Sequence, residues 1–288
     1  MNMVVTSYAP PAGPVATRVS DVKGVGPAPV SPNQSVWQRY RWTVLRALSP
    51  VFLLVLWQIA SAAGVLSERV LPAPSLIFDA GLELLRNGEL ADALAISGTR
   101  VVQGLVLGGV IGVALGALVG LSKLAEATVD PPLQMLRAIP HLGLIPLFIL
   151  WFGIGETPKI LLVALGVAFP LYLNTFSAIR QIDRDFLDTA VVLGFSWRQR
   201  FTTIILPSIA PQLLVGLRQS LAIAWLSLIV AEQINAESGL GYIINNARDF
   251  LRLDTIIFGL VIYALMGIAT DGMVRVLEKR ALRYRLDA

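Results

Sequence analysis

The chain has no cysteine, which excludes disulfides, thiolate metal sites and cysteine nucleophiles together. It has one histidine, His141, too few for a histidine metal cluster or a pair of catalytic imidazoles. Charge is scarce too. Asp, Glu, Lys and Arg make up 15% of the 288 residues, against 55% hydrophobic residues and a mean hydropathy of +0.70. Soluble domains carry roughly 25% charged residues, so the thickness of a bilayer is the relevant ruler. The net charge is only +4. The basic residues flank apolar stretches and form no basic face, so nucleic acid is not an expected partner. A phosphate loop G-x-x-x-x-G-K-[ST] is also missing. The nearest string, GLSK at Gly120–Lys123, lacks the upstream glycine, so nothing here can cradle ATP phosphates.

What is present is six apolar stretches, at about 47–65, 101–121, 133–153, 160–179, 212–231 and 255–276. Each is near the ~20 residues that a helix needs to cross hydrocarbon. Backbone polar groups in lipid must be paired within the segment, so the fold class is all-α integral membrane, with six helices. Residues 74–94 are amphipathic and too charged to span, and are expected at the membrane surface or capping the bundle. Residues 1–35, rich in Pro, Gly, Val and Ser, read as a disordered cytoplasmic tail and not as a signal peptide. Residues 36–288 then form one membrane domain. With the N-terminus inside, fifteen Lys and Arg residues fall in inner segments and five in outer ones. That bias puts both termini in the cytoplasm of a multi-pass protein. The second span carries Gly104, Gly108, Gly112, Gly116 and Gly120, a groove for another backbone. It serves either as a sliding surface or as tight static packing.

The mixed-charge segment 180–211, RQIDRDFLDTAVVLGFSWRQRFTTIILPSIAP, is longer than a connector between two spans needs. Helical periodicity over 186–193 ends at Gly194, where a left-handed cap is wanted. Ser196 followed by Gln199 reads as a capping box that opens a second short helix. Pro207 and Pro211 are expected to stop that helix and turn the chain back into the membrane. A helix–glycine–helix elbow on the cytoplasmic face suits docking to a partner.

The spacing of Asp188-Thr189-Ala190, three residues, Gly194, nine residues, Ile204, one residue, Leu206-Pro207 resembles the EAA loop of ABC importer permeases. Asp188 stands where that family usually has Glu, and Thr189 replaces its first Ala. The strings MLRAIPHLGLIPLFILWFGIGETPKILLVALGVAFPLYLNT and WLSLIVAEQINAESGLGYIINNARDF are similar to permeases that import sulfonates, taurine, nitrate or bicarbonate. MLRAIPHL, with His141, and NARDFL look most like the aliphatic sulfonate branch. The taurine and nitrate branches tend to have a second Pro where His141 stands. The likeness runs from about residue 45 to 285.

This resemblance implies a type I importer bundle in a bacterial inner membrane, whose cytoplasmic coupling helix fits a cleft on a separate ATPase. The coupling residues would be Asp188, Thr189, Ala190, Gly194, Ile204, Leu206 and Pro207. The implied partners are ABC ATPase subunits holding the ATP and Mg, an extracytoplasmic substrate-binding protein, and a second copy of the permease, within membrane lipid. No cofactor is expected on this chain. It is read as a transport subunit and not an enzyme, with taurine, nitrate or bicarbonate as alternative substrates.

An alkanesulfonate stays anionic near neutral pH, so its path needs positive or donor-rich groups. Arg137 and His141 are four residues apart and are expected to share a helix face, with Pro140 freeing carbonyls between them. The alternatives are that Arg137 snorkels to the headgroups and that His141 packs as a hydrogen bonder. Arg218, two turns into the fifth span, either attracts the anion or pairs with a carboxylate. Glu232, with Asn235 and Ser238, is expected to face the outside, where a binding protein docks. An ion-coupled secondary carrier would need buried carboxylates and a paired repeat. Asp271 is the one carboxylate well inside a span, and no convincing repeat is visible.

Overall fold

The computed structural model describes residues 36–282, and the tail expected over residues 1–35 lies outside them. The described residues are helical throughout, without a strand. The chain divides into one unit ending at Leu53 and another beginning at Leu54. The helix α1 (Val36–Ala62) is followed by α2 (Pro74–Arg86), α3 (Glu89–Leu121), α4 (Lys123–Thr128) and α5 (Asp130–Arg137). A 3-10 turn at His141–Leu144 leads into α6 (Ile145–Phe152), then α7 (Glu156–Arg180), α8 (Arg184–Val192) and α9 (Trp197–Arg200). A π-helical turn at Phe201–Ile205 joins α9 to α10 (Leu206–Asn235), and α11 (Leu240–Asp249) and α12 (Leu253–Ala281) complete the chain.

Four runs are long and apolar enough to cross a membrane: Glu89–Leu121, Glu156–Arg180, Trp197–Ile234 and Leu253–Ala281. They contain the second, fourth, fifth and sixth expected spans. The third expected span is not one helix. It is the pair Asp130–Arg137 and His141–Phe152, bent by 84°. Pro140 has no N–H to donate and its backbone is extended, so the ladder of α5 cannot continue. The first expected span corresponds to a shorter apolar stretch, Leu48–Ala62. The amphipathic region at 74–94 also divides differently from the expectation. Gly88, at φ +84, separates α2 from α3, and Glu89 and Asp92 open α3, where acidic side chains favour the helix N-terminus.

The centre of the bundle is α7, packed between α3 and α10, with Leu162, Val163 and Val167 fully buried. Lipid tails are as apolar as Leu, so close packing must hold these helices together. The glycine stripe of α3 supplies it. A Cβ on Gly108 or Gly112 would strike the carbonyl of Ala164 or Ala168 in α7. The two helices therefore lie backbone on backbone along this stripe. Meanwhile Val102, Val106 and Val110 of α3 and Leu265, Ile268 and Met273 of α12 are exposed. Such faces are a liability in water and suit hydrocarbon.

Candidate functional site

Three features carry chemistry: the elbow at 183–200, the helix break at 137–141, and a buried ion cluster. The elbow is built by local caps. Asp183 accepts from the Asp185 N–H at the start of α8. At the other end, Gly194 adopts φ +76, its N–H donates to Val191 O, and the Phe195 N–H donates to Ala190 O. These two bonds make a Schellman cap, which needs the left-handed conformation that glycine adopts without strain. Ser196 and Gln199 form the expected capping box. Ala190 is buried, and Leu187 packs on Ala178, Ile179, Ile205 and Ile209, which anchors α8 to the ends of α7 and α10. Asp188 and Thr189 are exposed. Around them Phe186, Val191, Val192, Leu193 and Trp197 present bare apolar surface.

Beyond the elbow the chain does not stop and turn at its prolines. From Trp197 to Ile234 it is one helical run. The Leu206 N–H reaches back five residues to Phe201 O. This widened turn comes just before Pro207, whose missing N–H would otherwise break an i→i−4 ladder. Ile204 lies half-buried in the π turn, Leu206 is exposed, and Pro207 sits in the first turn of α10.

The break separates Arg137 from His141, which therefore do not share a helix face. Arg137 ends α5 and His141 opens the 3-10 turn. They meet instead at a cavity of about 260 Å³ that is also lined by Asn174 of α7 and Gln219 of α10. The His141 Nε2 is 3.1 Å from Ser227 Oγ. Gln212 donates to Asn174 (2.7 Å), and Asn174 donates to Gln219 Oε1 (2.9 Å). Arg137 makes no hydrogen bond or ion pair with a described residue.

Arg218 and Glu232 lie elsewhere. Arg218 pairs with Asp271 (3.0 Å) and Glu278 (2.8 Å) of α12. Asp271 is held by Arg275 as well, so it is not the free buried carboxylate that an ion-coupled carrier would use. Glu232 does not face the outside; it is completely buried. It accepts from Arg100 Nη1 (2.5 Å), Ser97 Oγ (2.8 Å), Tyr263 Oη (2.7 Å) and the Gly241 N–H (2.8 Å). Arg100 in turn donates to both Glu156 oxygens and to the Ser238 carbonyl. Glu156 also holds the buried Lys159. The side chain of Asn235 lies outside the described residues. This cluster ties α3, α7, α10, α11 and α12 together. Sequence reasoning missed Arg100. The available signal was the spacing Ser97, Arg100, Gly104, which puts an arginine on the packed glycine face of α3. Gly239 completes the cluster, because a Cβ there would lie 2.6 Å from both Arg100 Nη1 and Glu232 Oε1.

Among the described residues no group of His, Asp and Glu converges to hold a metal ion. The geometry defines a bundle of helices long and apolar enough to cross a membrane, with an exposed helix–glycine–helix elbow. Residues 108–283 match the family described as binding-protein-dependent transport system inner membrane component, and the chain belongs to that family. It is 45% identical over 248 residues to the aliphatic sulfonates transport permease SsuC of Bacillus subtilis, covering 86% of this chain and 90% of that one. To SsuC of Escherichia coli it is 46% identical over 235 residues, covering 82% and 89%. To the taurine transport system permease TauC of E. coli it is 31% identical over 252 residues, covering 84% and 92%. A chain of the MetNI methionine ABC transporter, solved in an inward-facing conformation, shares the fold. Its TM-score is 0.52 at 19% identity, covering 65% of this chain and 95% of that one. This chain is thus a permease subunit of an ABC importer, a transport component and not an enzyme. A permease of this kind implies ATPase and substrate-binding partners.

Proposed function

We propose that this chain carries aliphatic sulfonates across a bacterial inner membrane, with energy from a separate ATPase that holds the ATP and Mg. The observation that carries the substrate class is the margin of likeness. Over more than four-fifths of the chain, identity to the two sulfonate permeases clearly exceeds identity to the taurine permease. The elbow is the ATPase docking site in this reading. It offers an acid, Asp188, in the middle of an apolar patch, and a patch of that kind marks a protein contact. The excess of Lys and Arg on the elbow's side supports both termini in the cytoplasm. Six crossings follow if the bent pair and the α1 stretch each count as one. Six helices enclose a path poorly, so the working unit is a pair of permeases in lipid, fed by an extracytoplasmic binding protein.

The test is uptake of radiolabelled alkanesulfonate by cells that lack their own system and express this chain with its ATPase and binding protein. ATP-dependent uptake that resists excess taurine, nitrate and bicarbonate is expected. Transport of one of those competitors without sulfonate uptake would move the substrate to a sister branch. Uptake that persists when the ATPase is inactivated would refute the ATP-driven mechanism.

A further inference from the structure

We propose that the cavity at the α5–α6 break is an anion subsite on the transport path, shaped for a sulfonate headgroup and the first carbons of its chain. The identity of the anion rests on the sulfonate reading above; the preference for negative charge rests on the cavity alone. Its donors are unspent. Arg137 has no partner among the described residues. His141 engages Ser227 through Nε2, and its Nδ1, a donor in the tautomer whose Nε2 accepts from the Ser227 hydroxyl, has no partner among the described residues. Asn174 takes up the carbonyl oxygen of Gln219, which leaves the amide N–H pair of Gln219 without an acceptor among the described residues. No carboxylate lines the cavity. A cleft lined by unpaired donors and one positive charge concentrates anions, and planar guanidinium and amide donors match the oxygens of an oxyanion. The remaining wall is apolar, with Phe169, Leu173 and Ile223, which suits an alkyl tail and offers nothing to nitrate.

The location fits a path. The break leaves residues 138–140 outside any helix in the middle of a span-length pair, and such backbone in a span is tolerated only where it is buried in protein or lines a cavity. Gly166 lies directly behind His141; a Cβ there would sit 3.2 Å from His141 Nε2 and 2.8 Å from Ser227 Oγ. The imidazole is thus seated against a surface that has no room for a side chain. By contrast Arg218, whose charge is spent on Asp271 and Glu278, and Glu232, an enclosed carboxylate, are not part of this site.

The absence of native cysteine gives a direct test in the assembled complex. Gln219→Cys puts a thiol at the cavity wall, and its modification on this chain is followed by mass with sulfonatoethyl and trimethylammonioethyl methanethiosulfonate. With Arg137 present, the anionic reagent is expected to react about tenfold faster than in the Gln219→Cys, Arg137→Gln chain, and the cationic reagent more slowly than in that chain. Pentanesulfonate is expected to protect the thiol. In a background without the cysteine, Arg137→Gln should lower pentanesulfonate uptake about tenfold and Arg137→Lys less, with copurification of the ATPase unchanged as the control for folding. Equal anionic rates with and without Arg137, or no protection in a complex that transports pentanesulfonate, would overturn the proposal. A wild-type complex that moves no alkanesulfonate, yet still shows the anionic preference, would remove the sulfonate identity and keep the anion site.

Discussion

The buried pair Arg100–Glu232 offers the sharpest energetic test. Replacing Glu232 with Leu leaves Arg100 one carboxylate, Glu156, whose side chain is 54% exposed, and the Ser238 oxygens. It also strands the Ser97 and Tyr263 hydroxyls and the Gly241 N–H, all in buried surroundings. Breaking a buried pair from one side costs about 3–5 kcal/mol. Because Arg100 keeps one ionic partner, the lower end applies, about 3 kcal/mol. Arg100→Met leaves Glu232 with three neutral donors and should cost about the same. The double variant removes both charges but still strands the Ser97 and Tyr263 hydroxyls and the Gly241 N–H, so only the uncompensated-charge part of each single cost is recovered. Its cost should therefore fall short of the sum of the single costs by about 2 kcal/mol. Denaturant unfolding in detergent measures this, with tryptophan fluorescence as the probe; Trp225 lies 6.2 Å from Tyr263, ring to ring. Strictly additive costs would refute the coupling. A Glu232→Leu chain as stable as the parent would sink the whole assignment.

Gly194→Val forces a β-branched residue into the φ +76 conformation of the α8 cap, a strain of about 1–2 kcal/mol. The protein should still reach the membrane, but substrate-stimulated ATPase activity of the complex should fall severalfold; full stimulation would show that the elbow geometry is dispensable. Asp188→Ala should weaken copurification of the ATPase and lower uptake without changing stability, and intact assembly and transport would end its assignment as the acidic contact. Gly108→Val drives a side chain into the Ala164 carbonyl of α7. It should cost about 1–3 kcal/mol or more and lower the yield in membranes, whereas a wild-type unfolding midpoint would mean that α3 and α7 are not packed so closely.

The parts legible in the sequence are those set by short-range physics. Span positions follow from the length of apolar runs, and both ends of the elbow follow from caps whose donor and acceptor lie within a few residues, as with Gly194 and Ser196–Gln199. The bend at Pro140 was visible as a missing N–H, but not the 84° turn, which depends on what α5 and α6 pack against. Pro207 and Pro211 read as stops because proline breaks an i→i−4 ladder, yet a π turn absorbs the first of them and the helix continues. The Arg100–Glu232 pair was hidden for a different reason. Its partners are 132 residues apart, and counting basic residues by membrane side gives each arginine a location and no partner. The anion cavity was half visible. Arg137 and His141 could be singled out as ionisable groups near a proline, but the amide chain from α7 and α10 that completes the wall is a tertiary fact.

The continuity of α9, the π turn and α10 gives the elbow its mechanical meaning. A helical run of 38 residues is roughly 57 Å long at ~1.5 Å per residue, nearly twice the ~30 Å of hydrocarbon. It cannot lie within the membrane alone, so one end stands clear, and that end is the one joined to the elbow. The same run carries Gln219 at the cavity, Ser227 against His141, and Glu232 in the ion cluster. A displacement at the head of this run therefore travels along helix to the cavity, with the ladder loosened on the way at the π turn and at Pro211, which has no N–H to donate. The far end is fixed by four partners of Glu232 on other helices, Arg100, Ser97, Tyr263 and the Gly241 N–H, so tilting this helix would move its middle against a held far end. If the elbow docks the ATPase as proposed, the donor-lined cavity, not the buried ion cluster, is the part of the bundle expected to change shape with it.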